Sequence, residues 1–267
     1  MLTLTAPAPQ LSSPRTPEGT VHGTHAGLAQ ARHPLLELRG VGKVRGERTA
    51  CALRGVDLRV DEGEFIALTG PAGAGKSTLL NLLAGLEPAD TGSYRFRGVH
   101  VDTLSAANLT LLRRFFLGHV PAGLNMRLAA NVRDYVEAPL VHRSESAVTR
   151  RAAAGVALER AGLAGWEDSR MTQLSAVQMR KVAIARALIG RPALLLVDAD
   201  AGQAGGAEIM DVLAEINYRE GISIIAVSDQ AHGPAGRVLR LREGCLEYEL
   251  RELRELRDYA VRAGLQA

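Results

Sequence analysis

The sequence predicts an α/β protein built on a parallel sheet. Short apolar runs, Phe65–Thr69, Leu194–Val197 and 222–227, alternate with helical patterns, which is the order of strand–helix–strand units. The first of these runs leads directly into Gly70-Pro71-Ala72-Gly73-Ala74-Gly75-Lys76-Ser77-Thr78, and a helical run through residue 83 leads out. That stretch has the form GxxxxGK[ST], and strand–loop–helix is the context in which the pattern cradles phosphate. At 267 residues the chain can hold one large α/β domain or two small ones with ample core.

Taken in order, residues 1–34 are rich in Pro, Thr, Ser, Ala and Gly and lack hydrophobic periodicity. They predict a disordered leader, and nothing fixes its His22, His25 and His33 in a metal geometry. Folded structure is expected over 35–248. Residues 36–38 and 52–60 read as strands joined by a turn around Gly46. Phe65–Thr69 is the strand entering the loop, and 94–101 alternates as a further strand. Helical patterns cover 104–114, 132–141, 145–161 and 175–189, so a helix-rich block from about 104 to 180 is inserted on the sheet. Leu194–Val197 and 222–227 are buried strands. The tail, 249–267, places Leu250, Leu253 and Leu256 at helical spacing between charges and predicts a C-terminal packing helix.

Composition excludes several functions. The net charge is only +3 and aromatics are 4%, with no basic block interleaved with aromatics, so nucleic acid is not an expected partner. Cys51 and Cys245 have neither metal nor redox spacing and fit a reducing compartment. No apolar run approaches the length of a membrane span, and the N-terminus has no secretory pattern.

The loop carries specific chemistry. Gly73 and Gly75 can take backbone angles closed to other residues, so successive N–H groups can face phosphate oxygens. The following helix adds its positive dipole end. Lys76 is expected to reach the β- and γ-phosphates and the Ser77 hydroxyl to ligate Mg²⁺. Among 32 Lys and Arg residues, Lys occurs only at Lys43, Lys76 and Lys181. Its retention inside the loop fits the need for a compact point charge where a planar guanidinium fits poorly.

Further landmarks follow in a fixed order. Gly63-Glu64-Phe65-Ile66-Ala67-Leu68 leads into the loop, and Leu79-Leu80-Asn81-Leu82-Leu83-Ala84-Gly85-Leu86 leads out, before Pro88 and Thr91-Gly92. Leu174-Ser175-Ala176-Val177-Gln178 precedes Lys181-Val182-Ala183-Ile184-Ala185-Arg186-Ala187-Leu188, and then come Pro192 and a strand ending at Asp198. From about 36 to 245 the chain resembles the nucleotide-binding subunit of an ABC transporter. Asn131-Val132 with Pro139-Leu140 is similar to the branch containing macrolide exporters, lipoprotein-release complexes and the cell-division cassette.

The resemblance implies a P-loop NTPase core with a mixed sheet, an N-terminal antiparallel β-subdomain and an inserted α-helical subdomain. It implies ATP and Mg²⁺ as ligands, with Ser77 and Asp198 on the metal, Arg45 at the adenine and Ser175 and Gln178 at the partner's nucleotide. Two cassettes, identical or paralogous, would sandwich ATP between the loop of one and the signature of the other. Closure would act on a membrane permease bound at the helical lobe. The expected place is the inner face of the cell membrane, attached through that permease.

The chain departs from the family at most hydrolytic positions. Ala199 stands where a catalytic Glu follows Asp198, and Ala cannot orient or deprotonate water. Asp200 shares the Asp198 side of an extended chain and is a poor substitute. Asp229 replaces the switch His, setting a negative charge toward the γ-phosphate; His232 nearby reads as a surface residue. Ala122 replaces the loop Gln, Arg45 the adenine-stacking aromatic and Gly205 the communicating Asp. Both signature glycines are replaced, by Ala176 and Val177. The expected function is therefore an ATP-binding subunit with impaired hydrolysis and no catalytic residue of its own. The alternatives are an active ATPase in a heterodimer with an intact cassette and, from another class, a soluble P-loop kinase or DNA-repair cassette.

Overall fold

The computed structural model describes residues 34–45, 50–124, 131–143, 145–198, 205–228 and 234–247. The predicted leader (1–34), apart from Pro34, and the predicted C-terminal helix lie outside them, as does the turn at Gly46.

The architecture is α/β with two sheets. Strands β1 (Leu36–Arg45), β2 (Ala50–Val60), β4 (Thr91–Phe96) and β5 (Val99–His100) form an antiparallel sheet in the order β2-β1-β4-β5. The second sheet has the order β10-β9-β3-β8-β7-β6, from β3 (Phe65–Thr69), β6 (Leu117–Val120), β7 (Leu194–Val197), β8 (Ser223–Val227), β9 (Arg237–Arg242) and β10 (Cys245–Glu247). Strands β9, β3, β8, β7 and β6 run parallel, and β10 pairs antiparallel with β9, so the sheet is mixed.

The central strands are apolar on both faces because both faces are covered. Ile66, Leu68, Leu194, Leu196, Ile225 and Val227 pack into one core with Leu79, Leu80, Leu82 and Leu83 of α1 (Lys76–Leu83). Their sequence neighbours Phe65, Ala67, Leu195, Val197, Ile224 and Ala226 point the other way. They pack with Val182, Ile184 and Leu188 of α5 (Ala176–Leu188) and with Ile209, Leu213 and Ile216 of α6 (Gly206–Glu220). The period of two along each strand thus sends α1 and α5 to opposite faces of the sheet.

The remaining helices are α2 (Ala106–Phe115), α3 (Val132–Glu137) and α4 (Ala147–Arg160). Ser105, Asn131 and Ser146 cap them, each accepting from the backbone N–H three residues on. The run over 132–141 is α-helical only to Glu137 and then continues as a 3₁₀ turn, Ala138–Arg143. Pro139 falls at the changeover and has no N–H to continue the α ladder.

Three expectations are corrected. The single strand over 94–101 is a hairpin, β4–β5, whose Arg97 and Gly98 both take positive φ (47° and 80°), as a tight two-residue turn demands. The helix-rich block from about 104 to 180 contains one core strand, β6, paired in parallel with β7 from Leu117↔Leu194 to Val120↔Val197. Helix α6 and the strands β9 and β10 add elements that the hydrophobic runs alone did not mark.

Asp90, just before β4, fastens that strand's entry to the end of β1, accepting from Val44 N at 2.7 Å and Lys43 Nζ at 2.9 Å. The backbone bond from Val44, then the Lys43 ammonium, hold its carboxyl below the usual value of 3.8. A depressed folded-state pKa gives stability that is present above the ordinary carboxylate range and is lost as pH falls through the folded value. Asp90→Asn is therefore expected to lower Tm at neutral pH, with the difference from wild type closing in acid. A pH series of thermal melts checks this; a gap that persists unchanged at low pH would contradict it.

Candidate nucleotide site

The phosphate loop connects the C-terminal end of β3 to α1. Gly70 and Gly75 are required there twice over. Their φ values are 143° and 105°, and a Cβ would overlap Leu241 O at Gly70 and Ala52 O at Gly75. Gly73 also has positive φ (77°), with open space around it. Gly75 is the N-cap of α1 and makes no side-chain cap, and no described side chain accepts from the first turn. The first-turn N–H groups, those of Lys76, Ser77 and Thr78, are thus left for a ligand outside the chain.

Lys76 Nζ donates to Gly70 O at 2.7 Å and Pro71 O at 2.8 Å, which folds its side chain back over the loop. Pro71 and Ala72 are exposed at the tip and Ala74 is buried beneath it. Ser77 is exposed, whereas Thr78 is buried at 3% and can offer only its backbone.

Asp198 stands at the end of β7, one strand beyond β8 from β3. The registers Leu68↔Val227 and Val197↔Ala226 bring it level with Leu68, two residues before the phosphate loop, at the same end of the sheet. Two strand spacings separate β3 from β7 by about 10 Å, a gap that side chains from both strand ends can share with a phosphate and a cation. Asp198 is 6% exposed and its N–H donates to Val120 O at 2.8 Å. Arg180 takes its main-chain oxygen at 2.7 Å rather than its carboxylate.

The donor set fits Mg²⁺. No cluster of three or more His, Cys, Asp or Glu suited to a metal exists among the described residues. A cation held by the Ser77 hydroxyl and the Asp198 carboxylate would therefore be completed by phosphate oxygens and water, the usual environment of Mg²⁺ on nucleotides.

Ser175 and Gln178 sit elsewhere. They form a capping box on α5: Ser175 Oγ accepts from Gln178 N at 3.2 Å and Gln178 Oε1 accepts from Ser175 N at 2.8 Å. Both side chains thus have a role inside the chain, while the Ser175 O–H and the Gln178 amide N–H₂ remain as donors. Because α5 and α1 cover opposite faces of the sheet, these two residues and the phosphate loop belong to different sides of one chain. The Arg45 side chain, Ala199, Asp200, Asp229 and His232 lie outside what is described. Ala122 follows β6 in a bend and offers only its backbone, whose oxygen accepts from Arg180 at 3.4 Å.

Sequence reasoning missed Arg180. It is 6% exposed, and its guanidinium binds three main-chain oxygens, of Asp198, Pro121 and Ala122. It also missed a cavity of about 370 Å³ whose lining includes Leu86, Arg113, Arg114, His119, Pro139 and Arg186. Among the described residues the lining contains no Asp or Glu. Burial pushes the His119 imidazole below its ordinary pKa, partly opposed by Asp198. The Arg113-Arg114 pair was the available signal.

A P-loop core with an antiparallel β-sheet on one side and a helical block on the other defines an ATP-binding cassette. The ABC transporter family model matches residues 53–200, and the chain belongs to that family. It is 38% identical over 216 residues to the macrolide export ATP-binding/permease protein MacB of Rhodopseudomonas palustris, covering 78% of this chain and 33% of that protein. It is 36% identical over 220 residues to the pyoverdine export ATP-binding/permease protein PvdT of Pseudomonas syringae pv. syringae, covering 80% of this chain and 34% of that one. The chain thus spans about a third of the length of these curated relatives. Among solved structures it is similar to the dimeric post-hydrolysis state of the ATP-binding cassette MJ0796 bound to ADP and Pi. The TM-score is 0.72 and the identity 31%, over 80% of this chain and 97% of that one. A second neighbour is cbiO1 from Clostridium perfringens, part of the ABC transporter complex cbiONQ, with TM-score 0.74 and 25% identity over 86% and 93%.

Proposed function

We propose that this cassette binds Mg·ATP without efficient hydrolysis and serves as the nucleotide-gated subunit of an export-type permease complex. The observation that carries the reading is the glycine-built loop holding Lys76, at the same end of the sheet as a buried Asp198 two strands away. Lys76 would exchange its two loop carbonyls for phosphate oxygens. The first-turn N–H groups would take further phosphate oxygens, and Ser77 and Asp198 would hold the magnesium, which neutralises phosphate charge. Arg45 would lie against the base. Ala199 has no group to orient or activate water, and Asp229 sets a negative charge where the family has a His, so ATP acts as a ligand that stabilises one assembled state by mass action.

The opposite-face placement of Ser175 and the phosphate loop supports a nucleotide shared between two chains, as does similarity to cassettes solved as dimers. It also favours one second reading. An intact partner cassette could hydrolyse ATP at its own loop, facing the Ser175-Ala176-Val177-Gln178 segment of this chain.

No helix among the described residues is long and apolar enough to cross a membrane. Membrane attachment would therefore come from the permease, seated in the cavity beside α2. Arg113, Arg114 and Arg186 line it with no carboxylate among the described residues, and Leu86 of its lining and Leu111 and Phe115 of α2 stand exposed. An apolar segment bearing an acidic side chain is the complement. Arg114→Glu is expected to abolish co-purification of the permease while leaving Mg·ATP affinity within about twofold, since Arg114 lies on α2 at a separate cavity and distant sites act independently. Undiminished co-purification would contradict docking here.

A further inference from the structure

Val177 and Gly205 are both departures from the family pattern, and the structure brings them together. A Cβ on Gly205 would overlap Val177 Cγ2 and meet Val177 Cβ at 3.4 Å and Cγ1 at 3.5 Å. Gly205 is the N-cap of α6, with φ 92°. The bulk gained in the signature thus occupies the space that any side chain at 205 would need. Val177 is half-buried and packs on the core beneath α5.

Two further residues on the same face of α5 reach the same region. Positions three and four along a helix fall beside the first. Arg180, three residues on, binds Asp198 O at 2.7 Å together with Pro121 O at 3.3 Å and Ala122 O at 3.4 Å. Lys181, four residues on, pairs with Glu208 Oε1 of α6 at 2.6 Å, its own side chain only 12% exposed. One helix face therefore grips Asp198 at the end of β7 and Gly205 and Glu208 at the start of α6. The Arg180 guanidinium meets neutral carbonyls, and removing it would strand the buried one, Asp198 O.

We propose that Val177, Arg180 and Lys181 form a clamp that positions Asp198 for the magnesium of Mg·ATP, with Val177 and Gly205 a complementary pair rather than two independent losses. The clamp ties the signature helix to the nucleotide strand within one chain. The Asp198 half of the proposal rests on reading that residue as a metal ligand; the Val177–Gly205 half does not. Arg180 is the positioning residue, acting through the Asp198 main-chain oxygen.

The test has two arms on the full chain. In the first, Gly205→Ala is melted in the wild-type and Val177→Ala backgrounds. Overpacking of this size is expected to lower Tm by about 5 °C with Val177 present. The loss should shrink markedly in the Val177→Ala background, because the strain of the positive φ is common to both backgrounds and cancels in the comparison. Equal losses in the two backgrounds would overturn the pairing. In the second, ATP affinity is measured with Mg²⁺ and with EDTA. Arg180→Gln is expected to cut the Mg²⁺-dependent gain roughly 10- to 100-fold, the range for residues that orient metal ligands. Affinity in EDTA, set by the phosphate loop, should not change. Arg180→Lys, which keeps a charge and can reach a carbonyl, should recover part of the gain, and it stands in if the Gln variant is unstable. An unchanged Mg²⁺-dependent gain in both variants would overturn the positioning role. A wild-type chain that binds ATP under neither condition would overturn the nucleotide reading and the Asp198 half with it, while the melts would still decide the pair.

Discussion

Lys76→Ala is expected to remove nearly all nucleotide binding. In the structure the Lys76 ammonium is presented on two loop carbonyls, Gly70 O and Pro71 O, rather than on a carboxylate. It can therefore change partners without breaking an ion pair. Charge-assisted bonds to phosphate are the strong members of their class, and truncating one partner of a desolvated charged contact costs about 2–4 kcal/mol, a loss of roughly 30- to 1,000-fold in Kd. The fold should tolerate the change, since the carbonyls released lie at a half-exposed loop that water can reach. Calorimetry with Mg·ATP, beside a thermal melt, separates the two effects. Equal affinity in wild type and variant, with both folded, would remove the phosphate-loop reading.

The second large effect concerns turnover. The purified chain is expected to release phosphate no faster than the Lys76→Ala control. A positioned base or water-orienting group contributes about 10²–10⁴-fold to rate, and this sequence has Ala199 and Asp229 where the family has such groups. The signature glycines are absent as well, at Ala176 and Val177. Their losses need not multiply, because residues that act as a unit are non-additive. One of them already suffices to bring the rate near background. Ala199→Glu combined with Asp229→His tests whether the defect is local. Restored turnover would place it in those two side chains. Continued silence would point to Val177, whose side chain is fixed against Gly205 and stiffens the start of α5.

What the sequence revealed follows from how its signals are distributed. The phosphate loop was legible because its chemistry is contiguous: every residue from Gly70 to Thr78 lies between one apolar strand and one helix. Strands β3, β7 and β8 were legible because burial on both faces leaves unbroken apolar runs. Strand β6 was not, because Leu117-Gly118-His119-Val120 is short and carries a Gly and a His. It is a strand only by virtue of its ladder with β7. Helix α6 is a different case. Its pattern, Ile209, Met210, Leu213 and Ile216 closed by Gly221 in left-handed geometry, is complete in the sequence. Two glycines and the lack of a side-chain cap obscure its start.

The site divides in the same way. Lys76, Ser77 and Asp198 can be picked out one at a time from motif and spacing. Arg180 cannot, since an Arg beside Lys181 in a helix reads as a solvated charge until the backbone oxygens of Pro121, Ala122 and Asp198 close around it. Ser175 and Gln178 show the converse: the motif names them for a partner's nucleotide, and the structure gives them a second role as a capping box. Val177 and Gly205 read as two separate defects from the sequence and as one contact in three dimensions.

The central claim is that ATP is held and not spent. Its most direct test follows the fate of the nucleotide itself. The chain is loaded with Mg·ATP labelled at the γ-phosphate, freed of excess ligand and incubated. The bound nucleotide is then recovered and identified alongside any free phosphate. The account predicts that the label stays on intact ATP bound to the protein, and that Lys76→Ala retains none. Stoichiometric conversion to bound ADP and free phosphate on the timescale of an ordinary cassette would contradict it.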